Sequence, residues 1–290
     1  QPVLENPVKV FDFRIRPPYK SFVNCDFFNY TVGPFAWHSA PPASYRDRQM
    51  ATLKKEVASA GVVQAAVWGR MNNDPAKSSS NDDVAGVLKD HGDLFVAGFG
   101  GMCPKAGQLG ETLKEIDRCM TKLGMKGMTL EPSLGMNPLT NPDDPILYPA
   151  YECLHGHGGI LALTISRGSP PTQTLMYSDP ESVDRVARDF PKMPIVISHA
   201  CWPWVQQSCG LAARRPNVYL LPDLYGMGMP GYRDWIDAAN TFLQDRTLFA
   251  SAYPYLGVKE MVDSYLKLPY TDAVKEKVMY SNARRLLGLG

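Results

Sequence analysis

With 290 residues, 44% of them hydrophobic and 20% charged, and a formal net charge of +1, the chain is long enough for one large globular domain or two small ones. Lys and Arg never run beyond a pair, as at Lys54-Lys55, Arg214-Arg215 and Arg284-Arg285, which argues against a nucleic-acid surface or a polybasic membrane patch. No apolar run nears the ~18 residues of a membrane helix, and residues 1–7 lack the regions of a signal peptide. Six scattered cysteines without a CxxC pair fit reduced thiols in a cytoplasmic protein.

In chain order, residues 8–17 (Val-Lys-Val-Phe-Asp-Phe-Arg-Ile-Arg-Pro) read as a strand ended by Pro17. Strict alternation sets Phe11, Phe13 and Ile15 on one face and Val10, Asp12, Arg14 and Arg16 on the other. Charges on a buried face are costly unless they pair or meet a ligand. Two readings follow: a bridge from Asp12 to Arg14 or Arg16, or the floor of an anion-binding pocket. Residues 17–44 form a long loop, rich in Pro and aromatics, that would overhang the end of this strand. Helical spacing then predicts a helix over 46–61, and a near-continuous apolar strand follows over 62–68. Helices are expected over 81–91, 109–123, 146–155, 180–190 (capped by Asp179), 203–213 and 232–243. Strands are expected between them over 94–99, 128–130, 160–165, 195–198, 218–221 and 247–250, with closing helices over 258–266 and 272–279. Eight strands alternating with helices predict an α/β chain folded as a single-domain (β/α)8 TIM barrel over 1–290. The alternative, a doubly wound open sheet, would want a glycine-rich phosphate loop after strand one, and none is there.

Barrel enzymes work at the C-terminal ends of their strands. That inventory is Asp12, Arg14 and Arg16; Arg70; Glu131; Thr164 and Arg167; His199 and Cys201; Asp223 and Tyr225; and Tyr253. The planar fork of arginine suits carboxylate, sulfonate or phosphate, and four arginines at one rim point to a substrate with more than one negative group. His199 is the one histidine placed at a strand end, which suits a general acid or base, a satisfied structural histidine being the alternative. His38 lies in the long loop, within reach of the mouth. His155 and His157 have the spacing of a metal pair but fall at a helix exit on the opposite rim. Cys201 reads more readily as a buried inert thiol than as a nucleophile.

Asp12-Phe13-Arg14-Ile15-Arg16-Pro17, Ile195-Val196-Ile197-Ser198-His199 with Pro203-Trp204, Ala250-Ser251-Ala252-Tyr253-Pro254 and Ser281-Asn282-Ala283-Arg284-Arg285-Leu286-Leu287 together resemble the amidohydrolase superfamily. The closer likeness is to the branch of aminocarboxymuconate-semialdehyde decarboxylase, related aromatic-acid decarboxylases and 2-pyrone-4,6-dicarboxylate lactonase, over nearly the whole chain. Members of that family open with Asp-x-His-x-His, end strands five and six with histidines, carry Gly-Ser-Asp-x-Pro on strand eight and finish on Asn-Ala before an Arg/Leu-rich close. Here both strand-one histidines are arginines, which have no lone pair to give a metal. Thr164 aligns with the strand-five histidine and Ala252 with the strand-eight aspartate, so His199 alone survives, whereas a catalytic zinc site needs about three protein ligands.

The resemblance and its departures imply a metal-independent hydrolase, of lactonase or esterase type and without cofactor, acting on a small multiply charged carboxylate. Arg14, Arg16, Arg70 and Arg167 would clamp the substrate, with Thr164, Asp223 and Tyr225 beside it. His199 would be the general acid/base, Asp12 and Glu131 would orient the arginines or share proton transfer, and Tyr253 would donate a hydrogen bond. A decarboxylase, another lyase or an isomerase on a similar acid is the alternative. From a different class comes a degenerate barrel that only binds an anion or a partner. The family often forms homodimers.

Overall fold

A computed structural model of the chain describes residues 8–28, 41–136, 138–166 and 174–290. Seven short apolar segments become strands: β1 (Val10–Ile15), β2 (Val62–Trp68), β3 (Phe95–Gly101), β4 (Gly127–Leu130), β5 (Ile160–Thr164), β6 (Ile195–Ser198) and β7 (Val218–Leu221). Each pairs in parallel with the next, giving one sheet in the order β1 to β7. Both faces of the sheet are covered, which is why Val, Ile, Leu and Ala fill the strands with little polar alternation.

Residues 246–253 occupy the eighth position. Leu220 N donates to Arg246 O and Leu248 N to Leu220 O, both at 2.9 Å, on the β7 side. On the β1 side, Phe13 N donates to Phe249 O and Arg16 N to Tyr253 O, both at 3.1 Å. The sheet thus curls into a closed TIM barrel. The strand expected over 247–250 is reduced to isolated bridges, Leu220 with Thr247 and Ile15 with Tyr253. Ser251 N gives its hydrogen bond to the Asp12 side chain (3.1 Å) instead of a backbone carbonyl, and Ala252 turns to φ 57°, so regular pairing stops there.

Phe11, Phe13, Ala66, Trp68, Ala97, Phe99, Ala162, Val196, Leu248 and Ala250 form an inner cluster. Val10, Ile15, Val67, Leu163, Ile197 and Leu220 pack outward with the helices. Ile15 therefore does not share a face with Phe11 and Phe13. The β1–β2 register shifts between Asp12 and Ile15, and that irregularity swings Ile15 outward and leaves Arg14 and Arg16 leaning over the barrel interior.

The helices fall close to their expected places: Asn81–Asp90, Leu109–Thr121, Tyr148–Gly156, Pro180–Asp189, Val205–Arg214, Tyr232–Asn240 and Val258–Leu266. Asp179 caps as expected, accepting from Glu181 N at 2.9 Å. The helix expected over 46–61 is two, Ala43–Asp47 and Met50–Ser59, broken where Arg48 takes φ 54°. Asp47 explains the restart, since its carboxylate accepts from Gln49 N (2.9 Å) and Thr52 Oγ1 (2.6 Å). After Asp272–Glu276 and a wide turn over Lys277–Ser281, a last helix, Asn282–Leu286, closes the barrel's lower end. Asn282 Nδ2 donates to the carbonyls of Gln244 and Thr247, both at 2.8 Å, and Ala283 and Leu287 join the inner cluster. Among the described residues, no helix is long and apolar enough to cross a membrane.

Candidate active site

Three aromatic rings form a floor across the barrel. Phe13 and Trp68 lie 6.3 Å apart between centroids, and Phe99 lies 5.5 Å from each. The next inward positions carry the polar groups, since Arg70, Glu131, Thr164, Ser198 and Asp223 each follow an inward residue by two along the chain. Arg14 sits directly over Trp68, its guanidinium carbon 5.6 Å from the ring centroid.

These groups fall into two ion networks. In the first, Glu131 is gripped on both oxygens, by Arg16 Nη2 at 2.5 Å and Arg70 Nε at 2.8 Å, and Arg70 Nη1 continues to Asp26. Phe27 faces both guanidiniums, at 5.1 Å from Arg16 and 5.9 Å from Arg70. Burial would raise the Glu131 carboxyl, but Arg70 and Arg16 outweigh it and hold it down at about 2. Burial likewise opposes the charge on Arg70, and Glu131 with Asp26 keeps that guanidinium above its ordinary value.

The second network centres on Asp223. Its Oδ2 accepts from Ser198 Oγ (2.7 Å) and His199 N (3.2 Å), and its Oδ1 lies 2.7 Å from His199 Nδ1. Arg14 Nη1 stands off at 3.8 Å. Burial lowers the His199 pKa below 6.5 in spite of Asp223. The imidazole is therefore neutral at pH 7, with Nδ1–H donating to Asp223, which leaves the Nε2 lone pair for a reactant. Backbone strain collects at these strand ends. His199, Ala200 and Cys201 have φ of 68°, 44° and 60°, and Asp223 has 44°, conformations costing about 1–3 kcal/mol each. Tyr265 donates its hydroxyl to Asp223 O at 2.7 Å and braces that turn. The Tyr225 ring meets His199 edge-on at 5.1 Å and stacks on Trp202 at 5.3 Å.

The other expected site residues sit differently. Asp12 forms no ion pair with Arg14 or Arg16, contrary to the bridge its sequence position allowed. It lies in the barrel wall, where Oδ1 accepts from Arg14 N (3.2 Å) and Ser251 N (3.1 Å). Burial raises its carboxyl to about 6, against the hydrogen bonds from Ser251 and Arg14. Tyr253 turns its hydroxyl to Ser44 Oγ (2.8 Å), which in turn binds Glu56, rather than to the arginines. Thr164 is buried at the end of β5 with Oγ1 unpartnered. Cys201 is buried and its thiol is pushed up, which makes it inert. On the opposite rim His157 pairs with Asp117 at 3.3 Å, and the His155 ring rests on Phe190. Arg167 and His38 lie outside the described residues.

Sequence reasoning missed Asp26, Phe27, Ser198 and Ser251. A signal for Asp26 was present, since it is the only acid between residues 17 and 44. Ser198 follows an inward-facing Val196 by two, so β6 alternation also points to it.

The donor set does not fit the family metal. Where Asp-x-His-x-His would supply two imidazoles stand two cationic guanidiniums, Ala252 has no donor side chain, and His199 is tied to Asp223. Among the described residues, no three His, Cys, Asp or Glu side chains converge as a ligand group.

Comparison with known proteins agrees with this barrel. No curated protein matches the sequence. Among solved structures, an uncharacterized TIM-barrel protein from Bordetella bronchiseptica is 35% identical with a TM-score of 0.87, over 97% of this chain and 98% of that one. A 2,6-dihydroxybenzoate decarboxylase from Rhizobium is 14% identical, TM-score 0.70, over 98% of this chain and 99% of its own. A 5-carboxyvanillate decarboxylase from Sphingomonas paucimobilis is 15% identical, TM-score 0.68, over 97% and 99%. At such identities the two decarboxylases share the fold. The amidohydrolase family model matches residues 31–289, and on that match the chain belongs to the amidohydrolase family.

Proposed function

We propose that the chain is a metal-independent hydrolase that opens a lactone or ester bearing a carboxylate, with His199 as general base and then general acid. The observation that carries this reading is the His199 Nδ1 to Asp223 Oδ1 contact of 2.7 Å at the mouth of the barrel, with the imidazole neutral at pH 7. Asp223 fixes the tautomer and ring orientation and stabilises the imidazolium that forms. His199 Nε2 takes a proton from water as the water oxygen bonds to the acyl carbon. The acyl–oxygen bond then breaks and Nε2 returns the proton to the departing alkoxide, giving an acid and an alcohol.

The test is a turnover screen of carboxylate-bearing lactones and aryl esters on chelator-treated protein, with His199→Asn beside it. The expected result is activity that resists chelation and falls ~10²–10⁴-fold in the variant. Activity lost to a chelator and restored by zinc or manganese would overturn the metal-free reading. A second reading, decarboxylation of a similar acid, is favoured by the fold shared with the two hydroxylated-benzoate decarboxylases. Release of carbon dioxide in place of ring or ester opening would establish it.

A further inference from the structure

We infer that, among the described arginines, Arg14 is the anion seat of this mouth and takes a single carboxylate, Arg16 and Arg70 being an internally neutralised pillar. This rests on the reading of the mouth as a substrate site and names what that site recognises.

The three described arginines of the rim differ in what they already hold. Arg16 and Arg70 share both oxygens of Glu131, and Arg70 also binds Asp26. Their charges meet two carboxylates within hydrogen-bonding distance. Arg14 has no such partner. Its nearest carboxylate oxygen is 3.8 Å away, beyond hydrogen-bond length, and that carboxylate already takes Ser198 Oγ, His199 N and His199 Nδ1. Arg14 Nε is buried without a partner, and the side chain is only 2% exposed. Burial and the neighbouring charge of Arg16 push its pKa down to about 10, whereas Arg70 is held up. A buried guanidinium lacking hydrogen bonds is costly, and a bound anion removes that cost.

The unpartnered atoms around it specify the chemistry. Beneath Arg14 lies Trp68, whose Nε1–H has no acceptor, and at the end of β5 lies the hydroxyl of Thr164, also without one. Thr164 pairs along the sheet with Ser198, which binds the same Asp223 that Arg14 approaches. Arg16 Nε completes a set of donors, while the unmatched acceptor nearby, Asp12 Oδ2, belongs to the wall. Among the described residues, one uncommitted cation set among buried donors that lack acceptors suits a planar group that only accepts hydrogen bonds and carries one negative charge, which describes a carboxylate. Among the described arginines, a second carboxylate on the same ligand would meet only Arg16 and Arg70 and would have to displace Glu131 or Asp26 from them.

Calorimetric titration tests this with matched acids: acetate, 2-furoate and benzoate against malonate, furan-2,5-dicarboxylate and isophthalate. Wild type and His199→Asn should each bind at least one monocarboxylate at one per chain, and its dicarboxylate partner no more than threefold tighter. Arg14→Met should weaken that binding at least tenfold, and Arg14→Lys should lose less. Should Arg14→Met fail to fold, the wild-type comparison decides alone. Tenfold tighter binding of the dicarboxylates, absence of monocarboxylate binding, or binding unchanged in a folded Arg14→Met would each overturn the inference. Arg14-dependent binding without turnover of any lactone or ester would leave the seat standing and remove the hydrolase reading. Turnover indifferent to Arg14 would do the reverse.

Discussion

Replacing Asp12 by Asn separates a buried carboxyl from the charge it takes on as pH rises through about 6. Asp12 Oδ1 receives two backbone N–H bonds, from Arg14 and Ser251, and an asparagine carbonyl preserves both. Burial raises the carboxyl from 3.8 to about 6. A group protonated more readily in the folded chain than in the unfolded one contributes stability that is fully present below pH 3.8 and lost as pH rises through about 6. At 1.36 kcal/mol per pH unit, the gap corresponds to ~3 kcal/mol of stability missing from the wild type above pH 7. Asn cannot ionise, so it escapes that loss. Its amide nitrogen replaces the unpartnered Oδ2 at a cost of about 1–3 kcal/mol, the same at every pH. The observable is therefore how the stability difference changes with pH, read by urea unfolding from pH 4 to pH 8. Asp12→Asn should gain ~2–3 kcal/mol on the wild type across that interval. A difference that stays flat would refute the assignment of Asp12 as a buried carboxyl ionising at a cost.

Glu131→Gln leaves the Arg16 and Arg70 guanidiniums buried around a neutral amide and should destabilise by ~3–5 kcal/mol in thermal or urea unfolding, a loss under ~1 kcal/mol being the refuting result. Because the wild-type carboxyl is held at about 2, its contribution is present above pH 4.5 and fades only as pH falls towards 2. For turnover, a His199 base with its pKa below 6.5 predicts kcat/KM level through neutral pH and falling on the acid side of 6.5. An acid limb centred above pH 7 would remove His199 from that role.

The barrel was legible because its strands are apolar on both faces and its helices are stopped by glycine and caps. The strand over 62–68 and the helix over 258–266 were placed to the residue. Where the reading slipped, a side chain had displaced a backbone partner. Asp47 restarts the helix at Met50, and Asp12 interrupts the eighth strand at Ser251. Neither event shows in hydrophobic period. His199 and Asp223 were both legible as strand-end residues, but their pairing joins β6 to the turn after β7 and depends on positive φ at both. Counting rim charges from the strands alone overstated the positive surplus, because Asp26 comes from the loop after β1 and answers Arg70.

The cork formed by the last helix bears on how this chain is made. Arg284 Nη1 binds Gln64 Oε1 at 2.6 Å across 220 residues of sequence, and Ala283 and Leu287 cover an inner core that draws on the barrel from Phe11 to Ala250. Contacts so distant along the chain close last and slow folding. During synthesis the Phe11, Phe13 and Trp68 layer must wait, open at one end, until residues 282–287 leave the ribosome. Throughout that interval the nascent barrel offers a greasy, unsealed end to its neighbours, so its yield in a cell depends on translation speed and chaperone supply as well as on the stability of the finished fold.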